Sequence, residues 1–168
     1  MPKRTPGRRR NGACDDARGA TTLPGMYELT VQTVFSAAHA LLIAGVREPV
    51  HGHDWHVTVS VVGDRLDDDG LLVDFHALER IVNEVVGPFR NANLNEVAPF
   101  DRRNPSAENV ASHICEAVGA RLGDVDGRGT TPGLEGAGSG GMTPKVSWVR
   151  VTEAPGCAVT YFKNRERT

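Results

Sequence analysis

From Tyr27 the chain alternates between apolar and polar side chains. Tyr27-Glu28-Leu29-Thr30-Val31-Gln32-Thr33-Val34-Phe35 has the period of two that marks a half-buried strand, and His39 closes the run. Trp55-His56-Val57-Thr58-Val59-Ser60-Val61 repeats the pattern on the far side of a loop. Gly63 to Gly70 is an acidic turn whose aspartates, Asp67 to Asp69, are ordinary turn chemistry. The period then lengthens. Behind Asp74, a suitable N-cap, Phe75, Leu78, Val82 and Val85 recur at three- and four-residue spacing, which predicts a helix ending near Gly87-Pro88. Val110, Ile114, Val118 and Leu122 predict a second helix opened by Asn104-Pro105-Ser106, with either Asn104 or Ser106 as its cap. Val146 to Val151 and Ala158 to Phe162 return to strand, joined through Ala154-Pro155-Gly156. The order ββααββ predicts an α+β fold: a four-stranded antiparallel sheet with two helices on one face. Such a sheet keeps exposed edges, which oligomerisation removes.

Composition narrows the class. A chain of 168 residues with 39% hydrophobic and 24% charged side chains is one domain's worth of ordinary globular protein. No apolar run approaches the roughly 18 residues of a membrane span. Residues 1–25 carry six Lys/Arg against two Asp/Glu and almost no aliphatic side chains, so they are expected to be a disordered basic extension, with the domain spanning 26–168. They lack the apolar core of a secretory signal. The remainder is acidic, thirteen Lys/Arg against nineteen Asp/Glu, which argues against a nucleic-acid-binding surface. Cys14, Cys115 and Cys157 are odd in number and have no C-x-x-C spacing; they suggest a reducing, cytoplasmic setting without disulfides. Residues 123–144 are rich in Gly, Ser, Thr and Pro and read as a flexible inserted loop.

The candidate chemistry is concentrated in His51-Gly52-His53-Asp54-Trp55 and in His39, twelve residues earlier. His51 and His53, two apart, share one face of an extended strand. If the first two strands pair antiparallel, His39 faces them across the ladder. Three neutral imidazoles with an open fourth position are the ligand set of a catalytic zinc site. An H-x-H pair in isolation is weak evidence, since histidines near a strand end are more often surface or core residues. His56 has the opposite strand parity, and neither it nor His76 is assigned to the metal.

An ordered series of motifs carries more weight: Phe35-Ser36-Ala37-Ala38-His39, His51-Gly52-His53, Leu72-Val73-Asp74-Phe75, Asn93-Leu94-Asn95, Pro105-Ser106-Ala107-Glu108-Asn109 and Val151-Thr152-Glu153. Over roughly Met26 to Phe162 the chain resembles the 6-pyruvoyl-tetrahydropterin and 6-carboxytetrahydropterin synthase family. The resemblance implies the family's T-fold, with trimers closing a barrel and two trimers stacking into a hexamer. It implies Zn2+ on His39, His51 and His53, acting as a Lewis acid on the side chain of 7,8-dihydroneopterin triphosphate. It places Glu153 where a carboxylate accepts the pterin's 2-amino and ring N–H groups. Ser106 matches a hydroxyl that helps to hold the pterin, a role compatible with capping a helix. The small-molecule pterin is then the partner, and the homo-oligomer a trimer or hexamer.

The departures matter as much. The family's proton-transfer cysteine, four residues before the first histidine of H-G-H in the bacterial branch, falls on Arg47. Its Asp-His dyad falls on Arg90 and Asn91, which cannot relay a proton as those residues do. Glu48, three residues before His51, stands where a variant branch has a glutamate in lieu of the cysteine and cleaves the side chain to 6-hydroxymethyl-dihydropterin. Glu48 is the candidate catalytic base. The expected activity is that of a zinc-dependent, 6-carboxytetrahydropterin synthase-like lyase, which feeds 7-deazaguanine and queuosine synthesis. Side-chain cleavage toward folate is the enzymatic alternative, and a pterin- or metal-binding module without catalysis is the rival from another class.

Overall fold

The two alternating runs become the long central strands of the sheet. In a computed structural model that describes residues 25–126 and 143–163, β1 is Tyr27–His39 and, after a short excursion, β4 is His51–Gly63. They pair antiparallel along their whole length, from Tyr27 opposite Gly63 to His39 opposite His51. The pattern predicted this face: Val31, Phe35 and Ala37 of β1 and Trp55, Val57, Val59 and Val61 of β4 are buried. β6 (Lys145–Ala154) pairs antiparallel with β4, and β7 (Cys157–Phe162) with β6.

The excursion between β1 and β4 is a small hairpin, β2 (Leu42–Ile43) and β3 (Val46–Arg47). Its turn residues, Ala44 and Gly45, both have positive φ (51° and 83°), the conformation of a tight two-residue hairpin loop that glycine adopts without strain. α1 (Phe75–Val86) begins where expected, Asp74 accepting the His76 N–H at 2.9 Å. A single 3-10 turn at Gly87–Phe89 follows. α2 (Ala107–Asp126) is capped by Ser106: its Oγ accepts from the Asn109 N–H at 3.4 Å, and its carbonyl accepts the first helical N–H, that of Val110. Both helices lie on one face, α1 against β1 and α2 against β6 and β7. Leu78, Ile81, Val82 and Val85 of α1 meet Val110, Ile114, Cys115 and Val118 of α2 in the core.

One feature of the sheet differs from the expectation. Among the described residues it has five strands rather than four and is mixed, ordered β5-β1-β4-β6-β7. β5 is only Ala92–Asn93 and runs parallel to Ala37–Ala38 at the end of β1. Asn91, at φ 55°, turns the chain there and donates its N–H to the Ser36 carbonyl at 2.6 Å. On the helix-free face, Glu28 Oε1 accepts from Ser60 Oγ (2.6 Å) and Trp148 Nε1 (2.7 Å), tying β1, β4 and β6 together. α2 continues to Asp126, into the stretch expected to be loop. Residues 1–24, and with them nearly all of the expected basic extension, lie outside the described residues, as does the Gly-rich segment 127–142.

Candidate metal centre

The core-facing positions of three strands end in polar side chains at the same edge of the sheet. β1 runs Phe35, Ala37, His39; β4 runs, backwards, Val57, Trp55, His53, His51; β6 runs Val149, Val151, Glu153. Antiparallel pairing brings these ends together, so period two alone places four candidate ligands on one face. At Glu153 the β6–β7 ladder slips: Thr152 pairs with Ala158 and Ala154 with Cys157, which leaves Glu153 as an extra residue on β6. Such an irregularity re-aims a side chain. Here the Glu153 carboxylate reaches His39 Nε2 at 2.8 Å and His53 Nε2 at 3.5 Å.

The imidazoles form a tight cluster, with ring centroids 4.7 Å apart for His39 and His51, 4.9 Å for His51 and His53, and 5.3 Å for His39 and His53. Buried Trp55 supports it edge-on, 4.9 Å from His39, and donates its own N–H to the Ala37 carbonyl. Ligand atoms of His39, His51, His53 and Glu153 all lie within 4.8 Å of one another.

Two further contacts fix which nitrogen faces inward. His39 Nδ1 lies 2.8 Å from the Pro105 carbonyl and His51 Nδ1 lies 3.0 Å from the Pro49 carbonyl. A carbonyl accepts only, so each Nδ1 carries the proton and each Nε2 presents a lone pair in the neutral ring. The Nε2 atoms of His39 and His53 are buried and make no hydrogen bond. Glu153 Oε1 stands 2.8 Å from His39 Nε2, and with the ring proton on Nδ1 two acceptors face each other there. Orphaned nitrogen lone pairs beside a carboxylate are a site for a cation. The three imidazoles, two of them oriented by backbone carbonyls, fit zinc with a fourth position open.

Glu48 stands beside this cluster. Its Oε1 accepts the Leu41 N–H at 2.8 Å and lies 3.9 Å from His51 Nδ1, while its own N–H donates to the Leu41 carbonyl at 3.0 Å. Glu48 therefore closes the β2–β3 excursion with both backbone and side chain. Two asparagines extend this grip, one of which, Asn104, the sequence offered only as a helix cap. Asn95 holds the N–H and carbonyl of Ala40 (2.8 and 2.9 Å), and Asn104 those of Leu42 (2.9 and 3.2 Å). Three consecutive residues after His39 are thus clamped by side chains. Asn95 belongs to a quoted motif, but nothing in its spacing reveals a two-point backbone contact.

Other expected residues are placed elsewhere. The Ser106 hydroxyl is engaged in capping α2, one residue from the carbonyl that orients His39. Arg90 donates to the Val34 carbonyl (2.8 Å), Thr33 Oγ1 (3.1 Å) and Asn83 Oδ1 (2.8 Å), pinning the end of α1 to β1. Asn91 lines an open cleft of about 590 Å³ that also includes Ser36, His53, Asp54 and Asn93. His56 is exposed on the opposite face, and His76 is 92% exposed beside Glu79.

The family model for 6-pyruvoyl tetrahydropterin synthase matches residues 28–164. A 6-carboxy-5,6,7,8-tetrahydropterin synthase of Bacillus subtilis is 34% identical over 113 residues, 64% of this chain and 75% of that protein. A dihydroneopterin monophosphate aldolase of Pyrococcus furiosus is 37% identical over 92 residues, 54% of this chain and 75% of that protein. Among solved structures, the 6-pyruvoyl tetrahydropterin synthase of Caenorhabditis elegans superposes with a TM-score of 0.63 at 19% identity, covering 83% of this chain and 97% of that one. A Plasmodium vivax 6-pyruvoyltetrahydropterin synthase in which a catalytic glutamate is replaced by alanine gives 0.60 at 19% identity, covering 84% of this chain and 99% of that one. With most of its length matched by the family model and its fold shared with solved members, the chain belongs to the 6-pyruvoyl tetrahydropterin synthase family.

Proposed function

We propose that this protein is a zinc-dependent lyase acting on the side chain of 7,8-dihydroneopterin triphosphate, in the manner of a 6-carboxy-5,6,7,8-tetrahydropterin synthase. The observation that carries the reading is the cluster of His39, His51 and His53 beside Glu153, in which the buried Nε2 atoms of His39 and His53 make no hydrogen bond. Zinc held there would supply Lewis-acid polarisation of the substrate's side-chain oxygens. The protein's own groups do the rest. The Pro105 and Pro49 carbonyls keep His39 and His51 in the ligating tautomer. Glu153, in this reading, takes the pterin's 2-amino and ring N–H donors in parallel, and Ser106 adds a hydroxyl contact. The relative in Bacillus subtilis bears the name of this activity.

A second reading, cleavage of the side chain to 6-hydroxymethyl-dihydropterin, is favoured by a specific observation. Arg90, at the dyad position, is fully committed to pinning α1 to β1, so it takes no proton. Arg47 stands in place of the cysteine, and Glu48 is the carboxylate held beside His51. The Pyrococcus furiosus relative is an aldolase, and the Plasmodium vivax enzyme has a catalytic glutamate. In both readings Glu48 is the base that accepts a side-chain proton. Incubating the zinc-loaded protein with dihydroneopterin triphosphate and with the monophosphate, and weighing the products, separates them. 6-Carboxytetrahydropterin supports the first reading and 6-hydroxymethyl-dihydropterin the second. No turnover of either substrate would leave a pterin- or zinc-binding module.

The same reading includes a cytoplasmic location and a homo-oligomer, trimer or hexamer. β5 covers β1 only at Ala37 and Ala38, and Asn91 and Arg90 engage the Ser36 and Val34 carbonyls, so the strand's outer edge is open from Tyr27 to Thr33 among the described residues, and β7 is the other sheet edge. Open edges of that length invite pairing with another copy. Light scattering on the purified chain checks it; a monomer at micromolar concentration would reject the assembly.

A further inference from the structure

A second cleft, of about 230 Å³, opens between the β2–β3 hairpin and the loop before α2. Arg47, Arg102 and Arg103 line it against a single carboxylate, Asp101. Asp101 is occupied: its Oδ2 lies 3.7 Å from Arg102 Nε. Among the described residues, no carboxylate pairs with Arg47 or Arg103. Two guanidiniums without counter-charge, facing one concave space, make a site for an anion.

Arg103 is held through its side chain, and Arg47 through the backbone of its hairpin. Arg47 sits in the hairpin register opposite Leu42, whose backbone is clamped by Asn104, and its neighbour Glu48 is bonded to Leu41 through main chain and side chain. Arg103 donates from Nε to Asn109 Oδ1 at 2.8 Å, and Asn109 Nδ2 in turn donates to the Asn104 carbonyl at 2.7 Å. The Arg103 fork is thereby aimed through its own base. Pre-ordering of this kind lowers the entropy cost of binding a phosphate.

The cleft also shares a wall with the metal centre. Asn95 and Asn104, which line it, are the residues that clamp the chain immediately after His39, and Asn104 precedes the proline whose carbonyl orients His39. We propose that this cleft is an anion-binding subsite that takes the phosphate tail of the substrate while the histidine cluster takes its side-chain oxygens. The inference rests on the pterin reading for the identity of the substrate, but the anion site itself stands on the arginines alone. It also gives Arg47 a use: the position that lost a proton-transfer thiol has gained a phosphate contact.

The test uses the full-length chain, and an Arg47→Ala/Arg103→Ala variant matched to it in zinc content and circular dichroism. Calorimetric titration with inorganic tripolyphosphate should show binding to the parent and at least about tenfold weaker binding to the variant, as loss of charge-assisted hydrogen bonds predicts. The gap should narrow as ionic strength rises. Equal affinity in the two proteins, or no binding to the parent, overturns the proposal. Dihydroneopterin with and without phosphate is then compared. A preference of about tenfold or more for the phosphorylated form, abolished in the variant, supports the tail assignment; equal affinity for both forms overturns it. If the arginines bind tripolyphosphate but neither pterin binds the parent, the anion site holds and the pterin function falls.

Discussion

His39 and His51 each give the Nδ1 proton to a backbone carbonyl, and that small decision leaves two lone pairs directed at one point. Removing a ring should therefore remove the ion. In His51→Ala and His53→Ala, metal analysis should show most zinc gone, whereas the parent should hold one zinc per chain with Zn–N distances of about 2.0–2.1 Å by X-ray absorption. Full occupancy in both variants would refute the assignment. The two glutamates should separate by readout. Glu48→Gln keeps the Leu41 N–H contact in shape but loses the basic carboxylate, so turnover should fall by about 10²–10⁴-fold with zinc and pterin still bound. Glu153→Gln should instead weaken pterin binding at least about tenfold, since charge-assisted hydrogen bonds contribute about 1.5–3 kcal/mol each. Parental rates in the first variant, or parental pterin affinity in the second, would displace that residue from its role.

At the scale of elements, length decided what was legible. β1 and β4 each run thirteen residues, long enough for a period of two to declare both the strand and its buried face. α1 announced itself through Asp74 and its apolar stripe. β2, β3 and β5 have two residues each, too few to show any period, and their positions are set by contacts distant in sequence: Asn95 to Ala40, Asn104 to Leu42, Asn91 to Ser36. That is why a parallel fifth strand was absent from the expectation. The site divides the same way. The three histidines and Glu153 follow from parity and motif order, whereas the direction of the Glu153 carboxylate depends on a ladder irregularity that no residue type signals. The cap of α2 was open between two residues, and the structure chose Ser106. Ser106→Ala should accordingly cost about 1 kcal/mol in urea unfolding, the usual loss for a Ser cap. A loss near zero would mean that the Asn109 N–H finds another acceptor.

For the whole molecule, pH and metal are the two variables that should report on the fold. His113 of α2 lies edge-on to Phe89 (5.7 Å) and Phe100 (5.6 Å), and burial pushes its pKa below the usual 6.5. Arg103 and Arg121 act in the same direction, and Glu116 opposes them. The unfolded chain then binds the proton first, so stability is complete above about 6.5 and declines as pH falls from there toward the folded value. Chemical denaturation at pH 7.5 and 5.5 should show a smaller pH penalty in His113→Gln than in the parent; an equal penalty would exclude His113 as the source. The metal variable follows from where the ligands sit. His39 ends β1 while His51 and His53 open β4, and only the native pairing sets His39 opposite His51. A one-residue slip of β4 would turn both of its histidines to the wrong face. Zinc thus recognises the native register itself. At a free concentration a hundred times its dissociation constant it should add about 2.7 kcal/mol to stability, and each dilution of the metal should lower the melting temperature by mass action.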